Sequence, residues 1–193
     1  MALILHFIRH GRAEDVDGMC IGHTDRPLAE AGVDEIEALA RRLDTHDLPC
    51  VSSDLTRAHA SAERLSSGAI TRDPRLREMN FGEWDGRSWA DLEVADGAQL
   101  NEWMSDWTTI RAPGGESFAD VVARVQSWLD DLPRDEARLL VVAHAGSIRA
   151  AAVALLELPA SKAFALQVDH AHVTTFSIAS HGATLSAWNS RGF

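Results

Sequence analysis

Two stretches of this chain hold residues able to do chemistry, and they echo each other. Arg9-His10-Gly11 closes an apolar run from Ala2 to Ile8, and His144-Ala145-Gly146-Ser147 closes a second run, Leu139 to Ala143. Sites in open α/β sheets lie at the carboxyl ends of strands. Two strands that end this way are expected to deliver two imidazoles side by side. Arg offers paired N–H groups to a phosphate. Neutral His is a nucleophile or a base. Gly11 lets the chain turn sharply and an anion approach the backbone. Arg57 falls in the first turn of an expected helix, where a cation opposes the dipole unless an anion lies between them. Glu78 follows Pro74 in the segment Leu76-Arg77-Glu78. Phosphoryl transfer needs charge neutralisation, an in-line nucleophile and a proton for the leaving oxygen. Arg9, His10, Arg57, Glu78 and His144 cover these needs, and the set requires no metal or other cofactor. The plainer alternatives are a surface Arg-His pair and a solvated Arg57.

The elements that must position these residues follow from periodicity. Leu28–Leu43 is expected to be a helix with a stripe at Ala31, Ile36, Leu39, Ala40 and Leu43. Pro49–Ser52 is a short strand, and Ser53-Asp54 is expected to cap a helix over Leu55–Leu65. Ser88 caps a short helix through Leu92, and Glu93–Pro113 is the least regular stretch. Trp103 and Trp107, four apart, would share a face if helical, and burial in the core is the expectation for both. Phe118–Leu132 is helical until Pro133-Arg134-Asp135, and Ser147–Leu156 is helical until Pro159. The tail reads as a ribbon of strands at Ala163–Val168, Val173–Ala179 and Thr184–Trp188. Strands alternating with amphipathic helices predict a three-layer α/β/α fold with a mainly parallel central sheet and antiparallel edges.

The chain has 193 residues and a formal net charge of -11. That length suits one domain, residues 1–193, with a sizeable core. The charge argues against nucleic-acid and anionic-membrane partners. No stretch approaches a membrane span and no basic segment precedes the first strand. Cys20 and Cys50, far apart, suit a reducing compartment, which points to the cytoplasm. Oligomeric state is not encoded in these patterns.

Taken together, Arg9-His10-Gly11, Ser53-Asp54-Leu55-Thr56-Arg57-Ala58, the Glu78 segment and His144-Ala145-Gly146 make the chain resemble the histidine phosphatase superfamily, with its phosphoglycerate-mutase-like fold. The resemblance implies a small phosphorylated substrate and a phosphohistidine on His10. It assigns Arg9, Arg57 and His144 to the phosphoryl oxygens, and it makes Glu78 the acid and then the base. The segment from Gly22 through Thr24 to Leu28 matches the family's pocket-lining loop, so Gly11 and Thr24 join the expected substrate-binding set. The chain departs from the family pattern at Ala13 and Val16, where polar residues are frequent, and Arg12 is expected to compensate electrostatically. The family's mutases carry a larger insertion before the second histidine; the compact stretch here is more like the phosphatases. Gly22-His23-Thr24-Asp25, Phe81–Gly86 and Pro113–Ser117 resemble the α-ribazole phosphatases of cobalamin assembly, which act on α-ribazole 5'-phosphate or its cobalamin-linked form. Trp103 or Trp107 is then a candidate to stack on a nucleoside-like base.

Other readings remain open at this level. They include a cofactor-dependent phosphoglycerate mutase, a broad sugar or nucleotide phosphatase, and a non-catalytic phosphate-binding module on the same fold. A metallohydrolase would use His170 and His172 as a ligand pair on one strand face. The chain lacks a Gly-x-Ser-x-Gly elbow and a dinucleotide glycine fingerprint.

Overall fold

A computed structural model describes residues 2–43, 47–133 and 138–192. Its centre is a six-stranded sheet in the order β3-β2-β4-β1-β5-β6. The strands are β1 (Leu3–Arg9), β2 (Cys50–Ser52), β3 (Ile70–Arg72), β4 (Arg138–Ala143), β5 (Val173–Ala179) and β6 (Gly182–Ser190). β1 to β4 run parallel; β5 pairs antiparallel with β1 and β6 with β5. Helices α1 (Glu30–Ala40), α2 (Thr56–Leu65), α3 (Trp89–Ala95), α4 (Gly97–Ser105), α5 (Phe118–Asp130) and α6 (Ala145–Leu156) complete the chain, with short 3₁₀ turns between.

The continuous apolar runs of β1 and β4 are explained by burial on both faces. Leu3, Leu5, Phe7, Leu139, Val141 and Ala143 point to one side and join α5 and α6 in one core cluster. Ile8, Leu140 and Val142 point to the other, against Ile36 and Leu39 of α1 and Ala58, Ala62 and Leu65 of α2. This is the three-layer α/β/α arrangement. β1 and β4 are neighbours in register, with Arg9 opposite Ala143. Their chains therefore leave the sheet together, one towards α1 and the other into α6, and open the crevice expected at such a point.

Several local expectations are corrected. Ala163–Val168 is not a strand: Pro159 starts a 3₁₀ helix over Ala160–Ala165 that packs beside α6. Trp107 lies beyond the end of α4, so it shares no helical face with Trp103, and α4 itself occupies the stretch read as irregular. The α1 stripe uses Gly32 where Ala31 was expected, because a Cβ at Gly32 would sit 2.0 Å from the Arg12 carbonyl oxygen. The Ser53-Asp54 cap gives way to Asp25, which takes the Thr56 N–H at 2.8 Å and the Thr56 hydroxyl at 2.6 Å. β3 was not anticipated. The break at Arg134-Asp135 falls outside the described residues. No helix among the described residues is long and apolar enough to cross a membrane.

Candidate active site

His10 is the first residue beyond β1, and its N–H bonds the Ala143 carbonyl at 3.1 Å, extending the β1–β4 ladder. The side chain is buried. Nδ1 lies 2.6 Å from the Gly11 carbonyl oxygen, which can only accept, so Nδ1 carries the proton. Nε2 then holds the lone pair. Burial, then the charges of Arg57 and Arg9, push His10 well below the ordinary histidine range, so the ring is neutral at pH 7. Its partner across the strand pair, His144, stands with ring centroids 4.8 Å apart at 61°. Burial and Arg57 push His144 down in the same way. His144 Nε2 is 2.9 Å from Ser53 Oγ, which also takes the Leu55 N–H at 3.3 Å. His144 Nδ1 is a buried atom with no hydrogen-bond partner. Such an orphan costs about 1–3 kcal/mol unless something polar meets it.

Two guanidiniums flank the rings. Arg57 is only 2 % exposed. Its Nε–H points at His10 Nε2 at 3.3 Å, and its other nitrogens hold the carbonyls of Thr24 at 3.0 Å and Gly22 at 2.7 Å. Those carbonyls are fixed in turn by Asp85, whose carboxylate accepts the N–H groups of Gly22, His23 and Thr24 at 3.2, 2.6 and 3.0 Å. Arg9 ties one nitrogen to the Val168 carbonyl at 2.6 Å, while its Nε is buried and unpartnered. Burial pushes Arg9 down to about 10, opposed by Glu78, and it remains a cation at pH 7.

Glu78 approaches from another side. Its carboxylate oxygens accept one backbone N–H each, from Met79 at 2.9 Å and from Gly146 in the first turn of α6 at 3.1 Å. Its own carbonyl is clamped by His23 at 3.0 Å and by Arg124 of α5 at 2.9 Å. A Cβ on Gly146 would lie 1.9 Å from Glu78 Oε1, so only glycine admits this carboxylate.

Arg9, His10, Arg57 and Glu78 line one cavity of about 270 Å³, joined there by Ala13, Val16 and His170. Met19, Ile21 and Glu78 are shared with an aromatic chamber of about 200 Å³, walled by Phe81, Trp89, Trp107 and Phe164 with Arg149 among them. A broader apolar groove along α3 and α4 shares Phe81, Trp89, Trp107 and Phe164 with that chamber.

Some expected site residues stand elsewhere. Gly11 and His144 are not on the wall of this cavity: His144 is fully buried against the His10 ring, and the Gly11 N–H bonds Ser61 Oγ at 3.2 Å, its missing Cβ admitting the Gly32 backbone rather than an anion. Thr24 holds Arg57 through its carbonyl. Arg12 does not face the cavity; its half-exposed side chain runs out to Asp17 and Glu35. Trp103 is buried in the core and stacks on Trp89, whereas Trp107 reaches the chamber. His170 and His172 are not a strand pair. They lie in the turn before β5, where Ala171 has φ 52°, and their Nδ1 atoms go to different carbonyls. No three potential metal ligands converge among the described residues. Sequence reasoning quotes Ser53 and Asp85 within matched motifs but misses what they hold, and it misses Arg149 and the placement of His170; the i, i+2 spacing of the two histidines pointed to a strand that the turn replaces.

A model of the histidine phosphatase superfamily, branch 1, matches residues 5–191. An adenosylcobalamin/alpha-ribazole phosphatase of Salmonella typhimurium is 31% identical over 97% of this chain and 96% of its own length. A glucosyl-3-phosphoglycerate phosphatase of Mycobacterium tuberculosis is 37% identical, covering 80% of this chain and 76% of that protein. The crystal structure of the alpha-ribazole phosphatase from Shigella flexneri superposes with a TM-score of 0.91 at 30% identity, over 98% of both chains.

Proposed function

The chain belongs to branch 1 of the histidine phosphatase superfamily and is a phosphomonoester hydrolase, and on that premise we propose that it works through a phosphohistidine on His10. The observation that carries this reading is the 2.6 Å contact between His10 Nδ1 and the Gly11 carbonyl oxygen. With Nδ1–H committed to the Gly11 carbonyl, the lone pair is on Nε2, which takes the Arg57 Nε–H, and His10 lines the cavity shared with Arg9, Arg57 and Glu78. In the first step Nε2 attacks phosphorus, the bond to the leaving oxygen breaks, and Glu78 gives that oxygen its proton. The Gly11 carbonyl steadies the positive charge that develops on the ring. Arg57 Nε–H releases the lone pair and turns to a non-bridging oxygen, alongside Arg9 and His144 Nδ1–H. In the second step water attacks phosphorus, Glu78 takes the water's proton, and the P–N bond breaks. Guanidinium and imidazole N–H groups meet the phosphoryl charge, so the mechanism is metal-independent.

The substrate is a small phosphorylated molecule, and we assign it to the α-ribazole 5'-phosphate class. The aromatic chamber that shares Glu78 with the nucleophile's cavity supports this assignment, because Trp107 at its wall suits a flat base on the leaving group. Hydrolysis rather than isomerisation is the net reaction, and the chain works as one domain in the cytoplasm without nucleic acid or membrane. A panel of α-ribazole 5'-phosphate, glucosyl-3-phosphoglycerate, sugar phosphates and nucleotides tests the assignment. Preference for the first by kcat/KM is expected, with Trp107→Ala costing about 10-fold on that substrate alone. Indifference across the panel, or preference for the sugar ester, overturns it.

A further inference from the structure

Ala13 and Val16 bring no polar side-chain atom to the nucleophile's cavity, and a second imidazole, His170, lines it beside His10. The His170 ring centre is 5.2 Å from that of His10, at 56°. Its Nδ1 lies 3.0 Å from the carbonyl oxygen of His10 itself. A carbonyl only accepts, so Nδ1 carries the proton and Nε2 the lone pair of the neutral ring. The turn that holds the ring is laced to the nucleophile's strand. The Ala171 N–H bonds the Arg9 carbonyl at 3.0 Å, and the Arg9 N–H bonds the His172 carbonyl at 3.3 Å. His170 is thus fixed to the backbone that carries the nucleophile, with one nitrogen left for a ligand.

Resting on the phosphatase reading, we propose that His170 contacts the transferred phosphoryl group, its Nε2 sharing one proton with a non-bridging oxygen. A phosphomonoester loses its second proton near pH ~6. As a monoanion it donates P–OH to the neutral Nε2. As a dianion it meets an imidazolium whose proton came from water. Only an O–H or N–H bond changes in either case. Without ligand, burial, then the charge of Arg9, holds His170 at about 4, with Arg12 adding to the effect and Asp169 opposing it. Arg57, His10, Asp17 and Glu78 are the other ionisable groups on this cavity. A bound phosphate brings negative charge against the ring and raises its proton affinity, so phosphate binding takes up a proton through His170.

The test uses the full chain and inorganic phosphate, followed by calorimetry in two buffers of different ionisation enthalpy from about pH 6 to about pH 8. Wild-type protein takes up protons on binding phosphate at the upper end of this range. His170→Ala binds phosphate about 10- to 100-fold more weakly and loses the uptake. His170→Gln, whose amide reaches the Nε2 position, recovers part of the affinity. His170→Asn, whose amide reaches only the His10 carbonyl, does not. Wild-type affinity and proton uptake in His170→Ala overturn the proposal. Full recovery by His170→Asn also overturns it, because the residue then only positions His10. Trapping of phosphohistidine on His10 in the wild-type protein separates the two readings: its failure sinks the mechanism, whereas its success with an unaffected His170→Ala sinks only the role of His170.

Discussion

Gly146→Ala is the substitution that separates stability from chemistry here. Gly146 is the second residue of α6, and alanine there favours the helix by up to about 1 kcal/mol over glycine. The new Cβ would fall 1.9 Å from Glu78 Oε1, whereas real Cβ contacts essentially never come below 3.0 Å, so the carboxylate must retreat by about 1.1 Å. That shift breaks its bond to the Gly146 N–H, now 3.1 Å, and moves the proton donor off the leaving oxygen. A displacement of this size in a catalytic group costs about 10²-fold in rate. The loss should depend on the leaving group. An alkyl phosphate needs its oxygen protonated in the first step, so its kcat/KM falls about 10²-fold. An aryl phosphate with a stable phenolate leaves without help, so its kcat/KM falls far less. Steady-state kinetics on both esters, with thermal denaturation beside them, give the answer. A variant at least as stable as wild type and impaired mainly on alkyl phosphates is expected. Equal losses on both esters, or full activity on the alkyl phosphate, refute the placement of Glu78 as proton donor.

Asp85→Asn removes one acceptor from the three N–H groups of residues 22–24, whose carbonyls hold Arg57. It should lower stability by about 2 kcal/mol in urea unfolding and raise KM for phosphate esters about 10-fold; an unchanged KM shows that Arg57 is held by other means. Arg57→Lys keeps the charge but loses the fork that spans Gly22, Thr24 and His10, and should cost about 10²-fold in kcat/KM. A loss under 3-fold, roughly, would remove Arg57 from the transition state. Acid should destabilise the fold through its buried histidines. Burial, then Arg138, lowers His6 from 6.5 to about 4. Between those values the unfolded chain binds a proton that the folded chain does not. Stability is therefore lost as pH falls through that window, by about 2 kcal/mol for His6 alone at about pH 5. His6→Gln should flatten this dependence in urea titrations, and an unchanged slope excludes His6 as its source.

What the sequence reveals of this fold is what short-range pattern can carry. β1 and β4 are legible because both faces of each are buried, which leaves uninterrupted apolar runs. The meeting of His10 with His144 follows from two strands ending alike, but it also needs β1 and β4 to be neighbours in register, which no local pattern states. β3 escapes because Ile70-Thr71-Arg72 is a three-residue edge with two exposed positions. Asp25 and Asp85 act on backbone N–H groups 31 and 61 to 63 residues away, so nothing near them in sequence marks their work. The place of His170 is hidden from local pattern for a related reason. Alternating His-x-His fits a strand by period, and the turn at Ala171 that swings one ring against His10 depends on the pairing of this segment with Arg9.

The central claim is a covalent bond between phosphorus and Nε2 of His10. Rapid acid-free quenching with denaturant during turnover of a phosphomonoester, followed by peptide mass spectrometry under alkaline conditions, reads it directly. An acid-labile, base-stable phosphate on His10 is expected, absent from His10→Ala, which should also lose turnover. Turnover retained by His10→Ala, or a phosphorylated residue other than His10, contradicts it.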